Sequence, residues 1–195
     1  MVEEGWELAA RIPIKIKDQD FMYENSLVRI VANRNFQAVK LGGLDVGPFE
    51  EGNEYEVFYW VAQELERAGI AHSRDEQHLD TARLNKIQWT ERIQTPGQIS
   101  KLPDDFYPKL RRCLAELREE IARDPEKMRE YERAGHLTRD IVNSRLKKIV
   151  SIASAPAQTE STLRNLTREE KCLYDQLYRL INQWKTQILE YKEGA

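Results

Sequence analysis

Apolar residues recur at helical spacing in a stretch near the C-terminus, HLTRDIVNSRLKKIVSIAS. At 100° per residue, six of its apolar side chains gather on one broad face, which predicts an amphipathic helix. Arg145 lies on the edge of that face, where a charge needs a partner or a path to water. We therefore expect Arg145 to pair with a carboxylate across a helix or chain boundary. The six apolar residues are Ile141, Val142, Leu146, Ile149, Val150 and Ala153.

A second helix is predicted to begin at Thr167. Thr167 and Glu170 have the spacing of a capping box, in which a hydroxyl and a carboxylate satisfy the first free amides of a helix. An apolar stripe follows at spacings of three and four, and it must be covered by the rest of this chain or by another chain. We predict a partner interface that includes Arg145 and Ile149 from the preceding helix. The stripe consists of Leu173, Leu177, Leu180, Trp184, Ile188 and Tyr191.

The N-terminal part has the alternation that is typical of strands. Arg11–Lys17 alternates isoleucine with polar residues, although Pro13 confines it to a sheet edge. Leu27–Asn33 and Phe36–Leu41 are two more predicted strands, and Arg34-Asn35 between them predicts a hairpin. Leu44–Val46, between two glycine-containing turns, allows a further short strand.

Gly47-Pro48-Phe49 is predicted to form the turn that holds these strands against a helix. Asn53 and Glu56 resemble a helix N-terminal box, so we predict a helix that ends before Gly69 and buries Trp60, with Phe49 also in the core. Residues 1–75 should therefore form a small β-rich domain.

The remaining residues, 76–195, predict a bundle of helices. Asp80 should cap a helix with Leu84, Ile87 and Trp89 inward, and Gln94–Lys101 is the best linker candidate. Further helices are expected over 107–123 and over 126–134, the latter closed by Gly135. The predicted fold class is α+β: a small N-terminal β-rich domain followed by a mostly α-helical bundle domain.

Composition and charge argue against several classes of function. The chain is 41% hydrophobic and 32% charged, with a net charge of −3, so it has no overall basic footprint for nucleic acid. No apolar run approaches the ~20 residues that span a bilayer, and the acidic N-terminus does not resemble a signal peptide. Cys113 and Cys172 are expected to be reduced core thiols, as in a cytoplasmic protein, and the lack of a long apolar run predicts no membrane partner.

Few residues of the sequence suggest a metal, cofactor or catalytic site. His72 and His78 lie near Asp75, Glu76 and Asp80, but their spacing fits no metal site. The glycines match no phosphate-binding loop, and no catalytic triad is recognisable. We therefore expect no enzyme, no cofactor and no metal, although an enzyme that uses the His72/His78 loop stays open. A solvated helix face is favoured over a nucleic-acid contact for the densest basic cluster, which is Arg139, Arg145, Lys147 and Lys148.

Several segments resemble subunits of the GINS complex. The run LVRIVANRNFQAVKLGGLDVGPFEEGNEYEVFYWVAQEL is similar to the small B domain of that family, with Gly47, Pro48, Phe49 and Trp60 at motif positions. LPDDFYPKLRRCLAEL, LTRDIVNSRLKKIVSIA and LTREEKCLYDQLYRLI are similar to the helical A domain. Arg145, Lys148 and Ile149 match motif positions there. The order, B before A, resembles the second and third eukaryotic subunit types and an archaeal type. LPDDFYPKL and LTREEKCLYDQL are closer to the other archaeal subunit.

The resemblance implies a non-enzymatic scaffold. GINS subunits assemble as a tetramer with a paralogous subunit through their helical domains, and they bridge the MCM replicative helicase to a RecJ-like or Cdc-type replication partner. Direct DNA binding would be weak at most, and the location would be cytoplasmic and nucleoid-associated, or nuclear in a eukaryote. The alternative from the residues alone is a dimeric helical DNA-binding regulator that reads DNA with Asp80–Glu91 or Asp140–Ile152.

Overall fold

The computed structural model describes residues 16–73, 79–93, 98–156 and 160–189. The chain divides into two compact units, one from Asp20 to His78 and one that contains Leu79 onward together with the residues before Asp20. The first contains all the described strands, and the second is helical. The predicted α+β class, with a small strand region before a mostly helical domain, is confirmed. The predicted boundary after residue 75 falls in a segment outside the described residues and stays a prediction.

The small unit is built on a three-stranded antiparallel sheet. Strand β1 (Leu27–Ala32) lies between β4 (Glu54–Phe58) and β5 (Ala71–Ser73). Its alternate residues, Val28, Ile30 and Ala32, are buried because strand side chains alternate between faces. Helix α2 (Tyr59–Arg67) packs on them with Val61, Ala62 and Leu65, and Gly69 follows its end at φ +65°.

A separate hairpin joins β2 (Val39–Leu41) to β3 (Leu44–Val46). Its two turn residues, Gly42 and Gly43, have φ of +56° and +85°, the combination that a tight turn matching strand twist requires. Beyond the hairpin, the amide of Phe49 donates to the carbonyl of Phe36 and the reverse bond is also made, both at 2.8 Å. Phe49 is 2% exposed and lies in the core, after a cis Gly47-Pro48 bond.

Four predictions for the N-terminal part of the chain need correction. The hairpin across Arg34-Asn35 does not form, because β1 pairs with strands distant in sequence. The helix predicted from Asn53 begins only at Tyr59, and the residues before it form β4. Residues 16–24 are helical (α1), so the strand predicted for Arg11–Lys17 fails at its end, and its first five residues lie outside the described residues. Trp60 is only partly buried.

The helical unit is organised around its longest helix, α5 (Met128–Ser154), which packs against three other helices. Its partners are α3 (Thr81–Ile93), α4 (Phe106–Ile121) and α7 (Arg168–Leu189). A 3₁₀ turn (Pro125–Lys127) precedes α5, and the short α6 (Glu160–Leu163) follows it. Asp80 caps α3 as predicted, since its carboxylate accepts from the amide of Arg83 at 2.7 Å.

Three predictions for the helical unit need correction. Gly135 does not close a helix; α5 continues through it, beside the fully buried Ala134. Of the linker predicted over Gln94–Lys101, residues 94–97 lie outside the described residues, and Ile99 is buried in a core cluster rather than part of a free linker. Trp89 is exposed rather than inward. In the ranges that the structure describes, no helix combines the length and the apolar character needed to cross a membrane.

Candidate assembly surface and its buried support

The stripe on α7 divides into a covered part and an open part. Leu173 and Leu177 are partly buried and pack on a core cluster that also holds Ile149, Ile152 and Tyr174. The next three members of the stripe are mostly exposed: Leu180 by 55%, Trp184 by 60% and Ile188 by 61%. Tyr191 lies outside the described residues. Three large apolar side chains, one per turn, therefore form an open patch on the second half of α7.

The open patch lies close to the point where α5 stops covering α7. The ammonium of Lys185 on α7 donates to the carbonyl of Ser154, the last residue of α5, at 2.8 Å. A helix advances about 1.5 Å per residue, so α7 extends only about one further turn to Leu189. The contact satisfies one of the carbonyl groups that a helix end leaves unpaired.

A second apolar area lies along α5. Val142, Leu146 and Val150 are each about 40% exposed, at spacings of four residues. Val142 and Leu146 also line a cavity of about 240 Å³ with Cys172 and Leu173. The helical unit therefore presents apolar surface from two of its helices.

Arg145 lies at the centre of the unit and is completely buried. Its guanidinium donates to both carboxylate oxygens of Glu170 on α7, from Nε to Oε1 at 2.7 Å and from Nη2 to Oε2 at 2.5 Å. Its Nη1 donates to Glu91 on α3 at 2.8 Å and to the carbonyl of Ser100 at 2.7 Å. The predicted pairing of Arg145 with a carboxylate across a helix boundary is confirmed, and it joins three helices.

Lys148 completes the cluster one turn farther along α5. Its ammonium donates to the Glu91 carboxylate at 2.6 Å and to the Glu91 carbonyl at 2.9 Å. The hydroxyl of Ser100 also donates to Glu91. Two cations and two carboxylates are thus buried together and balance in charge, as buried charges must to avoid a large desolvation penalty. We call Glu91, Arg145, Lys148 and Glu170 the charge cluster.

Glu170 also belongs to the predicted capping box, which is confirmed. The amide of Thr167 donates to the Glu170 carboxylate at 3.0 Å, and the amide of Glu170 donates to the Thr167 hydroxyl at 3.3 Å. The hydroxyl of Tyr107 on α4 donates to the same carboxylate at 2.7 Å. One glutamate therefore caps α7 and connects it to α4 and α5.

Burial and the neighbouring charges together shift the pKa values of these groups. Burial acts to raise the pKa of Glu91, but hydrogen bonds from Lys148 and Ser100 and the charge of Arg145 outweigh it and lower the pKa. Burial acts to lower the pKa of Arg145, but Glu170 and Glu91 raise it overall. Burial and the nearby Glu170 charge raise the pKa of Tyr107. All three shifts favour the ionisation states that the hydrogen bonds require.

Two of the predicted interface residues lie elsewhere. Arg145 is fully buried and Ile149 is 2% exposed, so both belong to the interior of the unit rather than to an open surface. A residue on the edge of an apolar arc can face a neighbouring helix of the same chain, and α3 and α7 both lie against α5 here. Arg145 and Ile149 therefore stabilise the packing of the helices that carry the surface and are not part of the surface itself.

Sequence reasoning missed Glu91, Ser100 and Asn165 as partners of Arg145. Ser100 and Asn165 lie outside regular helices, where no periodicity marks a buried residue. Glu91 carried a usable signal, because it follows Leu84 and Ile87 on the same helical stripe. A carboxylate on the buried stripe of one helix and an arginine on the buried stripe of another indicate an ion pair between the two helices.

The basic cluster that was considered for nucleic acid is divided by the fold. Arg145 and Lys148 are buried and paired with carboxylates, and Arg139 and Lys147 stay exposed. Half of the cluster is therefore neutralised inside the unit. Of the histidine loop that does not fit a metal site, Asp75, Glu76 and His78 lie outside the described residues, and His72 contacts the Asn33 side chain at 2.5 Å. The described residues contain no group of three or more candidate metal ligands.

Comparison with known proteins gives matches to both units. Residues 78–189 match the family model described as the GINS complex protein helical bundle domain, and residues 15–72 match the PSF2 N-terminal domain. The DNA replication complex GINS protein PSF2 of Homo sapiens is 27% identical over 154 residues, which cover 77% of this chain and 79% of that protein. The probable DNA replication complex GINS protein PSF2 of Caenorhabditis elegans is 28% identical over 135 residues, 69% of this chain and 70% of that protein.

Proposed function

We propose, since this chain belongs to the GINS family of DNA replication complex subunits, that it is a non-enzymatic scaffold which assembles through its helical unit. Its partners in assembly are other GINS subunits, and a tetramer with a paralogous subunit is the expected product. The observation that carries the proposal is the open patch on α7, formed by Leu180, Trp184 and Ile188. The similarity to the PSF2 relatives supports a PSF2-like subunit.

The patch supports assembly because of its size and its rigidity. Soluble monomers seldom expose a continuous run of large apolar side chains, and aromatic residues such as Trp184 often anchor protein interfaces. The charge cluster fixes the first turn of α7 against α3 and α5, and the patch lies farther along the same continuous helix, which limits the backbone ordering that binding must impose. In a tetramer of two-fold symmetry, such a patch would meet its counterpart on another subunit.

The non-enzymatic part of the proposal rests on how the buried charges are used. The carboxylates of Glu91 and Glu170 accept hydrogen bonds inside the unit, from the two cations of the cluster and from Tyr107. Neither carboxylate is therefore placed to exchange a proton with a substrate. The cluster is therefore best explained as structural.

The proposed role at the replication fork extends this scaffold. By the family resemblance, the assembled complex would bind and activate the MCM helicase and would contact a RecJ-like or Cdc-type partner. The helical unit would hold the tetramer together, which leaves the small unit available for these other proteins. The test is unwinding by purified MCM helicase, which should rise when the assembled complex is added and should not rise with this chain alone.

Assembly is tested by placing a charge in the open patch. Trp184→Asp should prevent assembly with a co-expressed paralogous subunit and should leave the helical content unchanged, because this side chain is mostly exposed. Gln183→Asp is the matched control, since it places the same charge on the adjacent exposed residue outside the stripe. Light scattering after size exclusion measures the mass, and circular dichroism measures the helix content. A wild-type chain that stays monomeric at micromolar concentration with its paralogue present would contradict the proposal.

A further inference from the structure

A groove of about 320 Å³ lies within the small unit. Residues 44–49 form one of its walls, and residues 55–58 of strand β4 form the other. Leu27 and Val61 complete the lining. The groove therefore lies between strand β4 and the β2–β3 hairpin with its continuation.

The run of consecutive lining residues shows which side of β4 faces the groove. Successive side chains of a strand point to opposite faces of its sheet, so a cavity on one face would contact only alternate residues. Tyr55, Glu56, Val57 and Phe58 all line this groove. The groove therefore reaches the outer edge of β4, and Leu27 of β1 and Val61 of α2 show that it also extends beside the strand.

The hydrogen bonds of β4 leave backbone groups directed to that edge. In the sheet order β4-β1-β5, β4 has β1 as its only strand neighbour among the described residues. Ala32 donates to the carbonyl of Asn53 at 3.0 Å, and Tyr59 donates to the carbonyl of Ser26 at 2.9 Å. Hydrogen-bonded and non-bonded pairs alternate in an antiparallel ladder. The backbone amides and carbonyls of Tyr55 and Val57 therefore face β1, and those of Glu56 face the groove.

The side chains around the groove favour a basic occupant with apolar residues. Leu27 is 60% exposed at one side, and Asp45 and Glu56 are exposed acidic residues on the two walls. Their ion pairs with Lys40 and Arg29, at 4.0 and 3.5 Å, are largely solvent-exposed and hence weak. Residues 20–78 contain eleven acidic and five basic residues, so the whole unit is negatively charged.

We propose that this groove binds an extended segment of a partner protein, which adds as a strand beside Glu56 at the groove-facing edge of β4. The segment would alternate apolar and basic side chains: its backbone would bond to Glu56, and its basic residues would meet Asp45 and Glu56. The proposal concerns the small unit alone and is independent of assembly through α7.

The probe is a capped synthetic heptapeptide of alternating lysine and valine, added to the full-length protein. Saturable binding is expected, with slower hydrogen exchange at the amides of β4. The same peptide with alternate backbone amides N-methylated keeps its charge and loses its strand hydrogen bonds, so it should bind at least about tenfold more weakly. Equal binding by the two peptides, or no saturable binding up to about 1 mM, would overturn the proposal.

Two charge reversals locate the site. Glu56→Lys should weaken peptide binding about tenfold, because it places repulsion beside the proposed strand. Glu64→Lys on α2 is the matched control: both glutamates form a single exposed pair with an arginine, and their side chains are 59% and 56% exposed. If both variants weaken binding equally, the attraction is that of the unit's overall charge and the groove is not the site. Unchanged hydrogen exchange at the amides of β1 verifies that each variant is folded.

Discussion

Arg145 is the residue on which the helical unit depends most. Arg145→Met should lower the free energy of unfolding by about 3–5 kcal/mol, because Glu91 and Glu170 would stay buried without their shared cation. Lys147→Met is the control, since it removes a positive charge from an exposed neighbouring position and should change little. Urea unfolding followed by circular dichroism measures both. A loss under about 1 kcal/mol would mean that the cluster rearranges around the missing group.

Glu91 should make stability depend on pH in the acid range. Its pKa in the folded protein is below its ordinary value, so the unfolded chain binds a proton more readily. The contribution of Glu91 is therefore fully present above the ordinary glutamate pKa and is lost as the pH falls through the lowered value. Glu91→Gln should be less stable at pH 7 and should lose less stability between pH 5 and 3 than the wild type. Glu64→Gln, which removes the charge of an exposed carboxylate, is the control variant.

At the scale of residues, the sequence identified single members of the buried ion pairs but not their partners. Arg145 was recognisable because a charge on an apolar arc must be compensated, and Glu170 was recognisable as part of a capping box. That these two residues meet, and that Glu91 and Ser100 join them, depends on which helices pack together. Local spacing does not contain that information, since these residues are far apart in the chain.

At the scale of elements, the β2–β3 hairpin depends on its glycines. Gly43 has φ +85°, and a Cβ added there would meet no atom within 4 Å, so Gly43→Ala should cost about 1–2 kcal/mol through backbone strain alone. Gly43→Asn should cost less, since asparagine tolerates positive φ better. Hydrogen exchange of the amides in β2 and β3 reports the local stability. Equal stability of the alanine variant would show that the turn can adopt another conformation.

Phe49 ties that hairpin to the rest of the small unit. It packs edge-on against Tyr55, with ring centroids 4.9 Å apart, and it is almost fully buried. Phe49→Ala should destabilise the small unit by about 3–5 kcal/mol through the lost apolar contacts and the cavity left behind. Phe36→Ala, at a partly buried bridging partner, should cost less. Protection of the β1 amides measures both variants, and wild-type protection in Phe49→Ala would contradict the prediction.

The elements that were predicted incorrectly show where local rules compete. Asn53 and Glu56 have the spacing of a helix start, but the alternation of Tyr55 and Val57 with glutamates suits a strand beside β1. Gly135 resembles a helix end, but packing of the long α5 on its three neighbouring helices outweighs the ~1 kcal/mol that a glycine costs inside a helix. Tertiary contacts decided both cases.

At the scale of the whole molecule, folding and assembly should be separable on the same helical unit. Ile149→Asp should prevent the unit from folding, because a carboxylate would replace a side chain that is 2% exposed. Assembly would be lost with it. Trp184→Asp should remove assembly alone. Loss of helix content in both variants would mean that α7 is not stable without its partner.

The general plan of the molecule was accessible from the sequence, and the pairing of its strands was not. Hydrophobic periodicity separated a strand-rich part from a helical part and located α4, α7 and the second half of α5. The strand order β4-β1-β5 joins segments more than twenty residues apart, and turn signals describe only neighbours in sequence. The groove beside β4 depends on that order and was therefore not predictable.

The placement of the charge cluster has a consequence for behaviour on heating. Among the described residues, every buried polar or charged side chain belongs to the helical unit, and the core of the small unit is entirely apolar. The penalty for removing charges from water falls as temperature rises, and apolar stabilisation does not grow in the same way. The helical unit should therefore lose stability more slowly on heating, and the small unit should melt first. At temperatures between the two transitions, the protein would keep its assembly surface after its strand-bearing unit had unfolded.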